Sequence, residues 1–132
     1  METSKTKRSR QREAILRVLQ STESHPTADW IYDTVRQQIP NISLGTVYRN
    51  LAKLTQSGDI LRLDVGDGMD HYDATTTPHY HLFCRKCGHL QDLTMDYQTH
   101  LDTEAAHSFN GDIHGHALVF YGTCQNCRHQ EH

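Results

Sequence analysis

No stretch of this 132-residue chain approaches the ~20 consecutive apolar residues that a membrane-spanning helix needs. Its start, Met1-Glu2-Thr3-Ser4-Lys5, leads into basic and polar residues and not into the apolar core of an export signal. The expectation is therefore a soluble cytoplasmic protein with no membrane partner. No cysteine stands alone, because all four fall into two pairs, Cys84-x-x-Cys87 and Cys124-x-x-Cys127. Positive charge is scarce in the second half: residues 67–132 hold three Lys/Arg against nine Asp/Glu, a balance of −6. That half makes a poor nucleic-acid surface but a good source of oxygen ligands for a divalent cation.

The first half has the opposite sign, with ten Lys/Arg against seven Asp/Glu over residues 1–66, a balance of +3. Lys5, Lys7, Arg8, Arg10 and Arg12 fall in one short run, which suits contact with phosphates or a solvated arm. The length allows one ordinary domain or two small ones, and the change of sign favours two. Two thiolates on a tight C-x-x-C turn can face one ion, so Cys84, Cys87, Cys124 and Cys127 together make a closed four-sulfur site, as expected for structural zinc. The rival is a disulfide framework, which calls for export and a more cysteine-dense domain.

Along the first half, Ser9 reads as the N-cap of a helix carrying Ile15, Leu16 and Leu19 inward and ending in the polar stretch 20–24. His25-Pro26-Thr27 enters a second helix, capped by Thr27, with Ile31 and Val35 turned inward and Pro40 as its stop. Asn41-Ile42-Ser43 begins a third, whose stripe Leu44, Val47, Leu51 and Leu54 faces a core and whose stop is Gly58. Its other face shows Gly45, Tyr48, Arg49, Ala52, Lys53 and Gln56, small, aromatic, cationic and amide groups suited to base edges in a DNA major groove. Ile60 to Val65 alternates like a strand, Gly66-Asp67-Gly68 turns, and His71-Tyr72-Asp73 returns as its partner. Three helices followed by a hairpin form a winged helix. The candidate DNA contacts are Thr46, Tyr48, Arg49, Asn50 and Lys53, with Arg10 and Arg12 from the basic run.

Thr75-Thr76-Thr77-Pro78 is a polar connector, which divides the chain into a DNA-binding domain over 1–74, a hinge over 75–78 and a second domain over 79–132. In a strand, His79 and His81 point to one side and can bind one ion. Asp92 lies on a further candidate strand, 90–93, and Asp73 comes from the wing side of the hinge. His71, His89, His100, His107, His114, His129 and His132 read as ordinary surface histidines.

The stretches His25-Pro26-Thr27-Ala28-Asp29-Trp30-Ile31-Tyr32, residues 42–51, His79-Tyr80-His81-Leu82-Phe83-Cys84-Arg85-Lys86-Cys87-Gly88 and residues 121–127, in this order, resemble the ferric uptake regulator family. The resemblance implies an α+β protein: an N-terminal winged helix for DNA, then a small α/β dimerisation domain carrying the four-cysteine zinc site. It also implies a regulatory Fe(II) or Mn(II) at the hinge, held by His25, Asp73, His79, His81 and Asp92, so that one ion sets the angle between domains and with it the DNA affinity. Aspartate at 92, where iron-uptake repressors carry the longer glutamate, is similar to the peroxide-sensing branch. In that branch Fe(II) cleaves peroxide, a ligand histidine is oxidised, and DNA is released; His25 and His79 match the oxidised positions.

The function expected is a homodimeric repressor on a palindromic operator, not an enzyme, with an Fe(II)- or Mn(II)-responsive uptake repressor blind to peroxide as the alternative. A zinc-uptake repressor would want a further cysteine at the regulatory site. A non-haem iron oxygenase would want its ligands on one rigid scaffold, and an interaction module would show no salt-dependent DNA affinity. The chain departs from the family in having only nine residues before the first helix, with Arg10 where proline is common, and in an extra metal site whose positions are occupied by Pro78, Tyr80, Thr99 and His116. Only His116 of these binds metals, so that site is expected to be absent.

Overall fold

A computed structural model describes residues 4–130, with side chains from Lys7 onward; the side chain of Lys5 and all of His132 lie outside the described residues. The chain forms two compact units, one ending at Thr76 and the other starting at Thr77. Together they give an α+β protein.

The first unit holds three helices and a hairpin. α1 runs over Ser4–Gln20 without a break, so Ser9 is an interior residue and not the cap expected of it. No proline or glycine interrupts 4–20, and Lys, Arg and Gln are good helix formers, so the helix propagates back through the basic run. The run is thereby helical and not a loose arm. α2, Ala28–Val35, is capped by Thr27, whose hydroxyl accepts from the Trp30 N–H. It ends at Val35, well before Pro40, and a series of turns fills the gap. α3, Leu44–Gln56, is capped by Ser43, whose hydroxyl accepts from the Thr46 N–H.

The core contains Ile15, Val18 and Leu19 from α1, Ile31 and Val35 from α2, and Val47, Leu51 and Leu54 from α3. Leu44 departs from expectation: at the first turn of α3 it is exposed, while Asn50 takes a buried place on the inner face. At 100° per residue, Asn50 falls beside Val47 and Leu54, whereas Leu44, although close to the direction of Leu51, is the first residue of the helix and stays exposed. Strands β1, Leu61–Asp64, and β2, Asp70–Asp73, pair antiparallel with Leu61 opposite Asp73 and Asp64 opposite Asp70.

The second unit is a three-stranded sheet in the order β4-β3-β5, with β3 Tyr80–Cys84, β4 Leu90–Leu93 and β5 Val119–Gly122. β3 pairs antiparallel with β4 and parallel with β5. α4, Thr99–His107, and the short α5, Gln125–His129, complete it. α4 buries none of its side chains and so carries no apolar period by which a sequence reading could find it.

Candidate metal centre and nucleic-acid interface

The four cysteines meet because two strands end side by side. In the parallel pair, Cys84 lies opposite Gly122, so β3 delivers the first knuckle and β5 the second to the same edge of the sheet. The first knuckle turns tightly: the Gly88 N–H donates to Cys84 O at 2.9 Å, the Cys84 N–H donates to His89 O at 2.9 Å, and Gly88 takes φ +77°, a left-handed value that glycine adopts without strain. In the second knuckle Cys124 is the N-cap of α5 and its own N–H points at Cys84 Sγ, 3.3 Å away.

No cysteine is joined to another by a disulfide. Their sulfurs lie within 4.8 Å of one another, with Cys87 Sγ and Cys124 Sγ at 3.7 Å. Sulfurs at about 2.3 Å from a tetrahedral zinc would stand roughly 3.8 Å apart, so the set fits that ion. Electrostatics agree. The backbone N–H groups of Cys124 and Cys87 hold the Cys84 thiol down to about 6. The Cys127 thiol is pushed up to about 12, first by its hydrogen bond with Cys124, and Cys87 is raised although the His89 backbone pulls it down. One thiolate forms readily and its neighbours then resist ionising, a crowding of negative charge that a divalent cation relieves.

The histidines and aspartates expected as ligands come as two groups, one in each unit. In the second unit, His81 lies directly opposite Asp92 across β3 and β4, and His79 stands one residue before β3. His79 Nε2 and His81 Nε2 reach the same oxygen, Asp92 Oδ1, at 3.1 and 3.2 Å, and their ring centroids are 4.4 Å apart. His79 Nδ1 is held 2.7 Å from Thr77 O, which orients the ring with Nε2 toward the carboxylate. His81 is buried while Asp92 is exposed, so the group is walled on one side and open on the other.

In the first unit, His25 Nε2 lies 3.1 Å from Asp73 Oδ2. Asp73 is fixed by the Thr75 N–H, which donates to its Oδ1 at 2.9 Å. His25 has φ 55°, the one non-glycine residue at positive φ among those described, and it precedes a proline. A side chain in that region costs on the order of 1–3 kcal/mol, a strain that persists only where surrounding structure imposes it.

One histidine read as a surface residue is nothing of the kind. His71 is buried; its Nδ1 lies 2.9 Å from His25 O and its Nε2 2.7 Å from Asp67 Oδ2. His71, Tyr72 and Asp73 are all buried along β2, and the segment His25-Pro26 lies against that strand, with the Tyr72 N–H donating to Pro26 O at 3.0 Å, which provides the place His71 fills. The other surface assignments at His89, His100, His107, His114 and His129 agree with their exposure. On the far face of β3, the fully buried Tyr80 lies 2.6 Å from His116 Nε2, and His116 Nδ1 meets Asp102 at 2.7 Å. Both ring nitrogens of His116 are engaged in this network. The His116 hydrogen bond, and then that of Tyr97, hold the Asp102 carboxyl below its ordinary value.

The expected DNA contacts divide into three sets. Tyr48, Arg49 and Lys53 stand exposed on the outer face of α3, with Arg49 Nη2 donating to Thr46 Oγ1 at 3.0 Å. A groove of about 350 Å³ runs between α3 and α1, lined by Arg8, Arg12, Arg49 and Lys53 with Gln11 and Thr46. Arg12 Nε is buried there and makes no hydrogen bond within the described residues. Asn50 also lines this groove, yet most of its side chain is buried and its amide donates to Thr46 O at 2.9 Å, which ties it to the helix backbone. Arg10, two residues from both Arg8 and Arg12 on α1, turns the other way and lines a separate groove toward Ile39, Pro40 and Asn41.

The sequence model of the ferric uptake regulator family matches residues 3–121. The peroxide-responsive repressor PerR of Staphylococcus epidermidis is 38% identical over 120 residues, covering 91% of this chain and 80% of the relative. Among solved structures, the Campylobacter jejuni peroxide stress regulator superposes with a TM-score of 0.78 at 30% identity, covering 92% of this chain and 91% of that one. The Helicobacter pylori ferric uptake regulator, at 23% identity, superposes over 100% of this chain and 85% of its own with the same score, a likeness of fold.

Proposed function

Because this chain belongs to the ferric uptake regulator family of metal-responsive, dimeric, DNA-binding repressors, we propose that it represses transcription when a metal is bound and that peroxide ends the repression by oxidising its own ligand histidines. Family members are transcription regulators and not enzymes, so the chemistry would be stoichiometric. The observation that carries the reading is the convergence of His79 and His81 on one oxygen of the short carboxylate Asp92. Two neutral imidazoles and a carboxylate oxygen suit Fe(II) or Mn(II), and thiolates suit zinc.

On this reading Cys84, Cys87, Cys124 and Cys127 hold structural zinc, and His25 with Asp73 joins His79, His81 and Asp92 around one regulatory Fe(II) or Mn(II). Bound Fe(II) would supply reductive cleavage of peroxide, whereas Mn(II) performs that chemistry poorly. The chain's own residues do the rest: Asp92 and Thr77 orient His79, Asp73 orients His25, and the two rings accept the oxidation. The homodimer reading is supported by β5, an edge strand with exposed Phe120 and Tyr121. A dimer presents two α3 helices, hence a palindromic operator.

The test is to load zinc-containing protein anaerobically with Fe(II) or Mn(II), add micromolar peroxide, and follow both peptide mass and binding to a palindromic duplex selected from random sequence. A gain of one oxygen on the peptide holding His25 or His79, with Fe(II) only, and release of DNA are expected. Unchanged masses with retained binding would mean a metal-uptake repressor blind to peroxide.

The groove between α1 and α3 leads to a second expectation. Arg12→Ala should weaken binding to all duplex sequences alike and lower the slope of log affinity against log salt by about 0.9, as for one lost phosphate contact. Asn50→Ala should instead reduce stability, and an unchanged salt slope for Arg12→Ala would remove that residue from the interface.

A further inference from the structure

The turn of the wing and the backbone of His25 are joined by a single side chain that no role described so far employs. His71 reaches His25 O through Nδ1 at 2.9 Å and Asp67 Oδ2 through Nε2 at 2.7 Å. The ring thus bridges a backbone carbonyl and a carboxylate, one at each nitrogen. The other oxygen of Asp67 accepts from the Met69 N–H at 3.1 Å and so shapes the turn itself. The chain therefore runs from the Met69 amide through the Asp67 carboxylate and the His71 ring to the carbonyl of the residue held at φ 55°. It closes beside His25, where the imidazole meets Asp73 two residues beyond His71 on β2.

We propose that His71 is a positioning residue for the regulatory metal: by holding the His25 carbonyl it keeps the left-handed backbone that aims the His25 imidazole at Asp73, and it links that conformation to the wing turn. The inference rests on the reading of His25 and Asp73 as ligands. Residues that orient a ligand from behind typically change metal affinity by about 10–100-fold when removed. The backbone of His25 is otherwise strained, so its return to an ordinary φ would swing the ring away from Asp73. By reciprocity, metal held at His25 should steady the wing turn as much as the turn steadies His25.

The probe is Mn(II) alone, titrated into zinc-containing full-length protein and followed by the electron paramagnetic resonance of the free ion, with amide exchange at Met69 and Tyr72 read in the same samples. His71→Leu should weaken Mn(II) by about 10–100-fold and abolish the slowing of Met69 exchange that Mn(II) causes in the parent protein. His71→Asn, which keeps a donor near the Nδ1 position, should recover most of the affinity without restoring the response at Met69. Asp67→Ala, a change in the turn that leaves the core intact, should likewise remove the Met69 response and keeps the question open to measurement where His71→Leu does not fold. Parent-like affinity and a parent-like Met69 response in all three variants would overturn the positioning role. If the parent protein bound no Mn(II), the ligand reading itself would fall, a result distinct from failure of the link.

Discussion

Cys124→Ser is expected to release the zinc and unfold residues 77–132, while the three-helix unit keeps its helical signal. The distribution of buried apolar side chains is the reason. Among the described residues, the first unit buries fourteen, and the second buries four: Tyr80, Cys84, Leu90 and Cys124. Two of these four are themselves cysteines of the cluster. A unit with so small a core needs a staple, and a structural zinc bound by thiolates contributes about 10–16 kcal/mol in small peptides. Serine offers a hydroxyl in place of a thiolate and also loses the Sγ that crowds Cys127 and Cys87. Zinc content by mass spectrometry of the native protein and sedimentation of the dimer would check the outcome; a stable zinc-free dimer would overturn the staple.

The same cluster sets a pH dependence. Cys87 and Cys127 sit above the ordinary thiol value in the metal-free site, so both are protonated at neutral pH and each must lose its proton for zinc to bind. Affinity should therefore fall as pH falls through neutrality, by about two decades per pH unit from these two groups. Cys84, at about 6, adds its own loss only below that value.

The second large effect is expected of His81→Ala. His81 is buried, stands opposite Asp92 in the strand register, and shares an Asp92 oxygen with His79. No neighbouring residue can replace it, because the inward positions of β3 alternate with Tyr80 and Leu82, which face elsewhere. Mn(II) affinity should fall by about 100-fold or more, the upper end of what loss of a supporting residue costs, and metal-dependent DNA binding should vanish, with zinc content unchanged. His89→Ala, an exposed histidine beside the same knuckle, should alter none of these. If His81→Ala bound Mn(II) like the parent, the regulatory ligand set would be wrong.

Local periods made much of this legible. The Thr27 and Ser43 caps, the hairpin of β1 and β2, the C-x-x-C turns and the His-x-His strand all depend on residues within a few positions of one another, where spacing and side-chain chemistry suffice. The miscast residues depend on neighbours far along the chain. Leu44, expected in the core, is exposed because burial on α3 depends on where α1 and α2 pack. His71 looked like one surface histidine among many because its partner, the carbonyl of His25, lies 46 residues away.

Composition and spacing by themselves determined the division of charge, the three helices and hairpin of the first unit and the pairing of the cysteines, since each follows from short-range pattern, whereas the full imidazole and carboxylate set was implied by the resemblance to the ferric uptake regulator family. Tertiary structure alone decided which donors share an atom and which polar residues are buried. The physical reason is register: β3 parallel to β5 brings Cys84 to Cys124, and β3 antiparallel to β4 sets His81 against Asp92, through backbone hydrogen bonds between residues that no local pattern connects.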